Sequence, residues 1–132
     1  MSFIHNATSF TGRILLSAIF ISAGVSKLGA GYAGTQAYMA MMGVPETLLP
    51  LVIATEILGG VAILLGIYTR IAAFLLAGFT LLAALLFHFN FADQMQSILF
   101  MKNVAIAGGL LSLVAHGSGY LSIDKLRLQT VS

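Results

Sequence analysis

Four near-continuous apolar runs, at about residues 11–28, 48–67, 71–89 and 99–116, limit what this chain can become. A hydrocarbon core of about 30 Å takes about 20 helical residues to cross, at about 1.5 Å each. None of the runs alternates with period 2, so strands of a membrane barrel are excluded. Backbone polar groups in lipid must be satisfied within their own segment, which leaves α-helices. The chain is 59% hydrophobic and 8% charged, with a mean hydropathy of +1.02. So few charges cannot cover a water-facing surface. The expectation is an all-α integral membrane protein, a single domain over 1–132 built as a four-transmembrane-helix bundle.

The breaks between the runs refine this. GAGYAG, 29–34, predicts a glycine-rich turn, and TQAYMAMMG, 35–43, is too short to span. It predicts a short interfacial helix between helices 1 and 2, with Tyr38, Met41 and Met42 as its apolar set. Pro45 and Pro50 bracket the entry to the second span, where a missing N–H is tolerated. GIYTR, 66–70, predicts a tight antiparallel hairpin of spans two and three. The polar tail after about residue 121 predicts little order. Thr11-Gly12-Arg13-Ile14 and Thr69-Arg70-Ile71 echo one another at the starts of spans one and three, which fits a two-hairpin repeat.

Lysine and arginine bias sets the orientation. Arg13, Arg70, Lys125 and Arg127 fall on one side, Lys27 and Lys102 on the other. The expectation is N- and C-termini both cytoplasmic, with Arg13 and Arg70 as topology determinants.

Within that frame one residue stands apart. Between Glu46 and Arg70 the sole charged residue is Glu56, in LVIATEILGG. An unpaired charge near the bilayer centre costs about 2.5–3.5 kcal/mol on insertion scales. Glu56 therefore faces the bundle interior, either paired with a lysine or as the neutral acid. Topology brings Lys27, His88, Lys102 and Asn103 to the same outer half, and these five form the candidate ligand-binding or buried polar cluster. Gly59 and Gly60 share the face of Glu56, and with Gly24 and Gly108 they are the candidate close-packing positions. Each has a plainer reading: the acid and a lysine lock helix register, the lysines snorkel, and His88 sits at the interface.

Other chemistries are excluded or unsupported. Cysteine is absent, so thiolate catalysis and thiolate metal sites are ruled out. A redox role would use a bound cofactor or a partner. His88 has no second histidine at helical spacing, so no metal site is expected. With a net charge of +2 and no basic cluster, no nucleic-acid partner is expected.

GRILLSAIFISAGVSKL, YMAMMGVP, ATEILGGVAILLGIYTRIAA and FMKNVAIAGGLL together resemble the DoxX family, over about residues 12–125. The resemblance rests most on Gly24-x-x-Lys27-Leu28, Glu56-x-x-Gly59-Gly60 with Gly66-x-x-Thr69-Arg70, and Lys102-Asn103-x-x-x-x-Gly108. It implies a small four-helix protein of the bacterial inner membrane, and a place as a subunit of a quinone-linked oxidoreductase or respiratory system. Quinone is then the implied non-covalent cofactor. Lys27, Lys102 or Asn103 would donate to its carbonyls, and Glu56 or His88 would exchange protons. Two alternatives stay open: a ligand-free assembly subunit of a membrane complex, and an oligomeric small-molecule or proton transporter. All three readings imply the lipid bilayer and either another membrane protein or further copies of this chain as partners. Whether the chain is itself an enzyme stays open, and no catalytic residue is assigned.

Overall fold

The computed structural model describes residues 3–131, all of whose regular elements are helical. They are α1 (Phe3–Ser26), α2 (Ala30–Met41), a 3-10 turn (Glu46–Leu48), α3 (Leu49–Leu65), α4 (Thr69–Phe87), α5 (Gln94–His116) and α6 (Ile123–Val131). α1, α4, α5 and the segment Glu46–Leu65 are each long and apolar enough to cross a membrane. The chain is a four-span helical bundle, with α2 as the short helix between the first two spans.

Several boundaries move outward from those the hydropathy pattern predicts. α1 begins at Phe3, because residues 3–10 carry no helix breaker and continue the first run. α5 begins at Gln94, since the Asp93 carboxylate accepts from the N–H groups of Met95 and Gln96 and caps the helix. The glycine-rich stretch after the first span is mostly helix: only Gly29, at φ 59°, makes the turn, and α2 starts at Ala30. The apolar face of α2 also differs from expectation. Met39 is buried against Leu49 and Ile53, whereas Met41 and Met42 are exposed.

Packing is organised in two antiparallel pairs, α1 with α3 and α4 with α5. The three-residue link Gly66–Tyr68 makes α3 and α4 neighbours, but they pack less intimately than each does with its pair mate. Glycines let the first of these pairs close. A Cβ at Gly24 would meet Ile57 Cγ1 at 2.5 Å, and one at Gly60 would meet Ile21 Cγ1 at 2.7 Å, so bare backbone lets α1 and α3 close on one another. α3 and α4 touch at Gly59 and Leu76, near the end of the bundle that holds Arg13. Phe20, Ile63, Leu76 and Leu110 form a core there. A second core of Met39, Leu49 and Ile53 sits under α2 at the opposite end. Between the two cores the pairs splay apart.

The Arg13 end is closed by the tail. Residues predicted to be largely unstructured form α6, and Asp124 caps α4 from a distance: its carboxylate accepts from the N–H of Tyr68 at 2.7 Å and of Thr69 at 2.8 Å. Asp124 N–H in turn donates to Gly66 carbonyl. Partial burial alone would push the Asp124 carboxyl up. The hydrogen bonds from Thr69 and Tyr68, with the nearby Arg127 charge, outweigh that and hold it below the usual carboxylate range.

Arg13, expected as a topology determinant, is 1% exposed. Its guanidinium donates to the carbonyls of Ile63 and Leu64 in the last turn of α3, at 3.0 and 3.1 Å, and to Leu121 carbonyl. It thus satisfies acceptors that a helix C-terminus leaves orphaned, and ties them to the chain leading into α6. Arg70 is exposed at the start of α4 and lies over Gly117.

Candidate functional site

Between the helix pairs lies a partly open cavity of about 500 Å³. Its walls are mostly apolar, with Phe20, Val52, Phe79, Phe87 and Ile106 from four different spans. α2 covers the end away from Arg13. Tyr38 donates its hydroxyl to Phe87 carbonyl at 3.3 Å and stacks on the Phe87 ring, with centroids 5.6 Å apart. Both residues line the cavity, so the lid helix is held to α4 at its rim.

Polar groups enter this space at defined points. Glu56 projects from the middle of α3 and is 6% exposed. Lys27, just beyond α1, reaches back along its own helix. Its Nζ lies 2.7 Å from Glu56 Oε1 and also donates to Ala23 carbonyl at 3.2 Å. Gly24 makes the reach feasible, since a Cβ there would stand 3.2 Å from Glu56 Cβ and hold the two helices apart. The pair is a charge-assisted hydrogen bond in an apolar setting, where each ion compensates the other's loss of water.

Asn103 on α5 donates through Nδ2 to Thr80 carbonyl on α4 at 3.3 Å. His88 ends α4 with Nδ1 2.8 Å from Gln96 Oε1. An amide oxygen only accepts, so in this contact the ring donates through Nδ1–H. Thr80 lines the cavity at 4% exposure, and its Oγ1 is buried without a hydrogen-bond partner.

The structure therefore gathers four of the five expected cluster residues, Lys27, Glu56, His88 and Asn103, around one cavity. It does not bring in Lys102. Because α5 starts at Gln94, Lys102 lies two turns inside the helix, and its register turns it to the exposed side while Asn103 faces α4. Gly24, Gly59 and Gly60 all lie at tight helix contacts, whereas Gly108 is exposed and a Cβ there would meet nothing within 4 Å. Gly109 is the glycine of α5 that faces another span, near Leu16.

Two contributors were not singled out from sequence. Tyr38 was assigned to a packing face, and its link to Phe87 crosses 49 positions. Thr80 lies one turn from Ala77, Ala83 and Ala84 in an otherwise apolar helix, and that was the available signal.

Comparison with known proteins agrees with this architecture. The DoxX family model matches residues 8–89, which covers most of α1, all of α2 to α4 and most of the cavity lining. The chain belongs to the DoxX family. Among its relatives, inner membrane protein YqjF of Escherichia coli (strain K12) is 52% identical over 126 residues, covering 96% of each chain. Inner membrane protein YphA of the same organism is 38% identical over 120 residues, 86% of this chain and 85% of its own. No solved structure matches the chain. With four spans and these relatives, this DoxX-family chain is a multi-pass inner-membrane protein in contact with the lipid bilayer.

Proposed function

We propose that this protein is the membrane-embedded ligand-binding subunit of a quinone-linked oxidoreductase system. The observation that carries the reading is the cavity itself: an apolar space of about 500 Å³ inside a bundle, with an ion pair, a hydroxyl and an amide on its wall. Such a combination suits a lipid-soluble molecule with a small polar head. A quinone fits the donor set, since its ring carbonyls accept hydrogen bonds and Lys27 and Asn103 are donors lining the cavity. When bound it would supply two-electron, two-proton redox chemistry.

The chain's own residues bind, orient and shield. Exposed Leu51 and Leu82 line the cavity within spanning segments, so a ligand can enter from the hydrocarbon. α2, pinned through Tyr38, keeps water from the head-group end. A redox partner in the membrane is part of the proposal. Arg13, Arg70, Lys125 and Arg127 gather at one end and Lys27 at the other, which supports cytoplasmic N- and C-termini.

The test is ligand retention. Protein extracted gently with native lipids should carry a quinone by native mass spectrometry, and decyl-ubiquinone should bind it in nanodiscs. Glu56→Gln or Lys27→Met should weaken that binding about tenfold, the scale of one charge-assisted hydrogen bond. Absence of both retained quinone and decyl-ubiquinone binding in the wild type would sink the reading.

One observation favours a second reading, a ligand-free assembly subunit. Lys27 and Glu56 saturate each other across α1 and α3, as helix glue would. Under that reading both substitutions lower complex yield and leave decyl-ubiquinone binding unchanged.

A further inference from the structure

A hydrogen-bond count around the cavity shows what its wall lacks. Most hydroxyl and amide donors there are spent within the protein. Thr35 donates to Gly31 carbonyl at 2.8 Å and Thr55 to Leu51 carbonyl at 2.7 Å. Tyr38 donates to Phe87 carbonyl, and Asn103 gives an Nδ2 hydrogen to Thr80 carbonyl. The Thr80 hydroxyl oxygen is itself fully enclosed by protein.

The acceptors are not all met. A carboxylate has two oxygens, and Lys27 takes Oε1 of Glu56 at 2.7 Å. Among the described residues no donor bonds to Oε2. Asn103 turns its nitrogen to Thr80, and its Oδ1 likewise accepts nothing from the described residues. Lys27 in turn has three N–H groups and spends two, on Glu56 and on Ala23 carbonyl. The charges of the pair balance, but its hydrogen-bonding capacity is not used up. These groups are also open to an entering molecule. The Lys27 side chain keeps 22% of its surface accessible and that of Glu56 keeps 8%, Asn103 is half-buried, and all three line the cavity.

We infer that the Lys27–Glu56 pair is the head-group site of this cavity, and that it selects a lipid-soluble molecule whose head carries a hydroxyl, as in an alcohol or a phenol. The inference rests on reading the cavity as a ligand site, and it does not require the ligand to be a quinone. A hydroxyl oxygen accepts from the third N–H of Lys27 while its hydrogen goes to Glu56 Oε2, so one ligand atom answers both groups. Both bonds are charge-assisted, which makes them stronger than neutral ones. A ketone answers the lysine and leaves the carboxylate oxygen without a donor in an apolar space. A charged head fares worse. An ammonium would meet Lys27, a carboxylate or phosphate would meet Glu56, and either loses its hydration on the way through hydrocarbon. The rest of the lining is mostly apolar, so the body is hydrocarbon or aromatic. A quinone meets this demand in its hydroquinone form, whose ring oxygens carry the hydrogens.

The experiment uses the full chain in nanodiscs of phosphatidylethanolamine and phosphatidylglycerol. The probes are radiolabelled 2-undecanol, 2-undecanone and n-undecane, with retention measured above protein-free nanodiscs of the same lipids. Alcohol and ketone match in size and differ in the donor. The wild type should retain the alcohol about fivefold better than the ketone, the scale of one net hydrogen bond. Glu56→Gln leaves one acceptor oxygen, which Lys27 occupies, so the ratio should fall to about one with alkane retention unchanged. The double variant Lys27→Met with Glu56→Met removes both charges together and keeps the space filled. It should also give a ratio of about one, and it decides the matter if Glu56→Gln does not fold.

A wild type that retains the ketone as well as the alcohol, or a double variant that keeps the alcohol preference, overturns the inference. An alcohol preference lost in the variants supports it even where neither decyl-ubiquinone nor native quinone is bound, a result that overturns only the quinone reading. Failure of the wild type to retain any of the three probes overturns the cavity as a ligand site, and both proposals with it.

Discussion

Glu56 stays in the middle of a span because Lys27 meets it from the neighbouring helix and Gly24 clears the path. Removing one partner leaves the other charge uncompensated, which is costlier than removing both. Lys27→Met should therefore lower bundle stability by about 2–3 kcal/mol, near the insertion cost of a lone intramembrane charge. The double variant with Glu56→Gln should recover most of that loss in denaturant titrations of the detergent-solubilised protein. A double variant as unstable as Lys27→Met would show that the pair is not coupled. Gly24 is tested separately. Gly24→Leu forces a side chain against Ile57 and Glu56, and should cost about 1–3 kcal/mol by overpacking. The same change at exposed Gly108 should be within about 0.5 kcal/mol of wild type.

At the level of elements, α6 acts as a clasp on the Arg13 end. Asp124 caps α4 and Arg13 caps α3 while holding Leu121, so one short helix joins the ends of both pairs. Asp124→Asn should loosen α6 by about 1 kcal/mol, the usual scale of a lost cap. Its pH dependence follows from the lowered carboxyl. A group whose folded value is depressed contributes fully above its unfolded value, near 3.9, and is lost as pH falls through the lower folded value. Hydrogen-exchange protection of α6, corrected for intrinsic rates, should thus be flat from pH 7 to pH 5 and fall only below about pH 4. A decline between pH 7 and 5 would assign the clasp to another group.

None of this clasp was legible in the sequence, and the reason is physical. Hydropathy reports how much apolar surface a segment carries, so the four spans and the α2 insertion could be read directly. Depth arithmetic then placed Lys27 near Glu56. Caps made across more than fifty positions leave no local periodicity, so Asp124 and Arg13 read as tail and topology charges. Face is equally hard to read when a helix start is misjudged: Lys102 and Asn103 are adjacent, and only the observed register separates the exposed one from the one facing α4.

At the scale of the molecule, two helix pairs leave a gap between two cores, and the gap is where a membrane bundle would otherwise gain packing. Lipid tails are as apolar as the helix faces, so closing the gap is not driven by the hydrophobic effect. An unfilled cavity of about 500 Å³ forfeits dispersion contacts along its whole wall. If the space exists for a ligand, filling it should trade binding for stability. Ala83 lines the cavity from α4. Ala83→Phe should raise the melting temperature of the ligand-free protein while cutting decyl-ubiquinone retention at least tenfold. A gain in buried apolar contact at about 0.8 kcal/mol per methylene-sized group is ample to be seen, unless strain cancels it. Should Ala83→Phe stabilise the protein and leave probe retention intact, the probes are bound elsewhere, on the lipid-facing surface, and the cavity is a packing defect rather than a site. Stabilisation together with loss of retention would mean that the gap is a shape held open at a cost, with α2 as its cover.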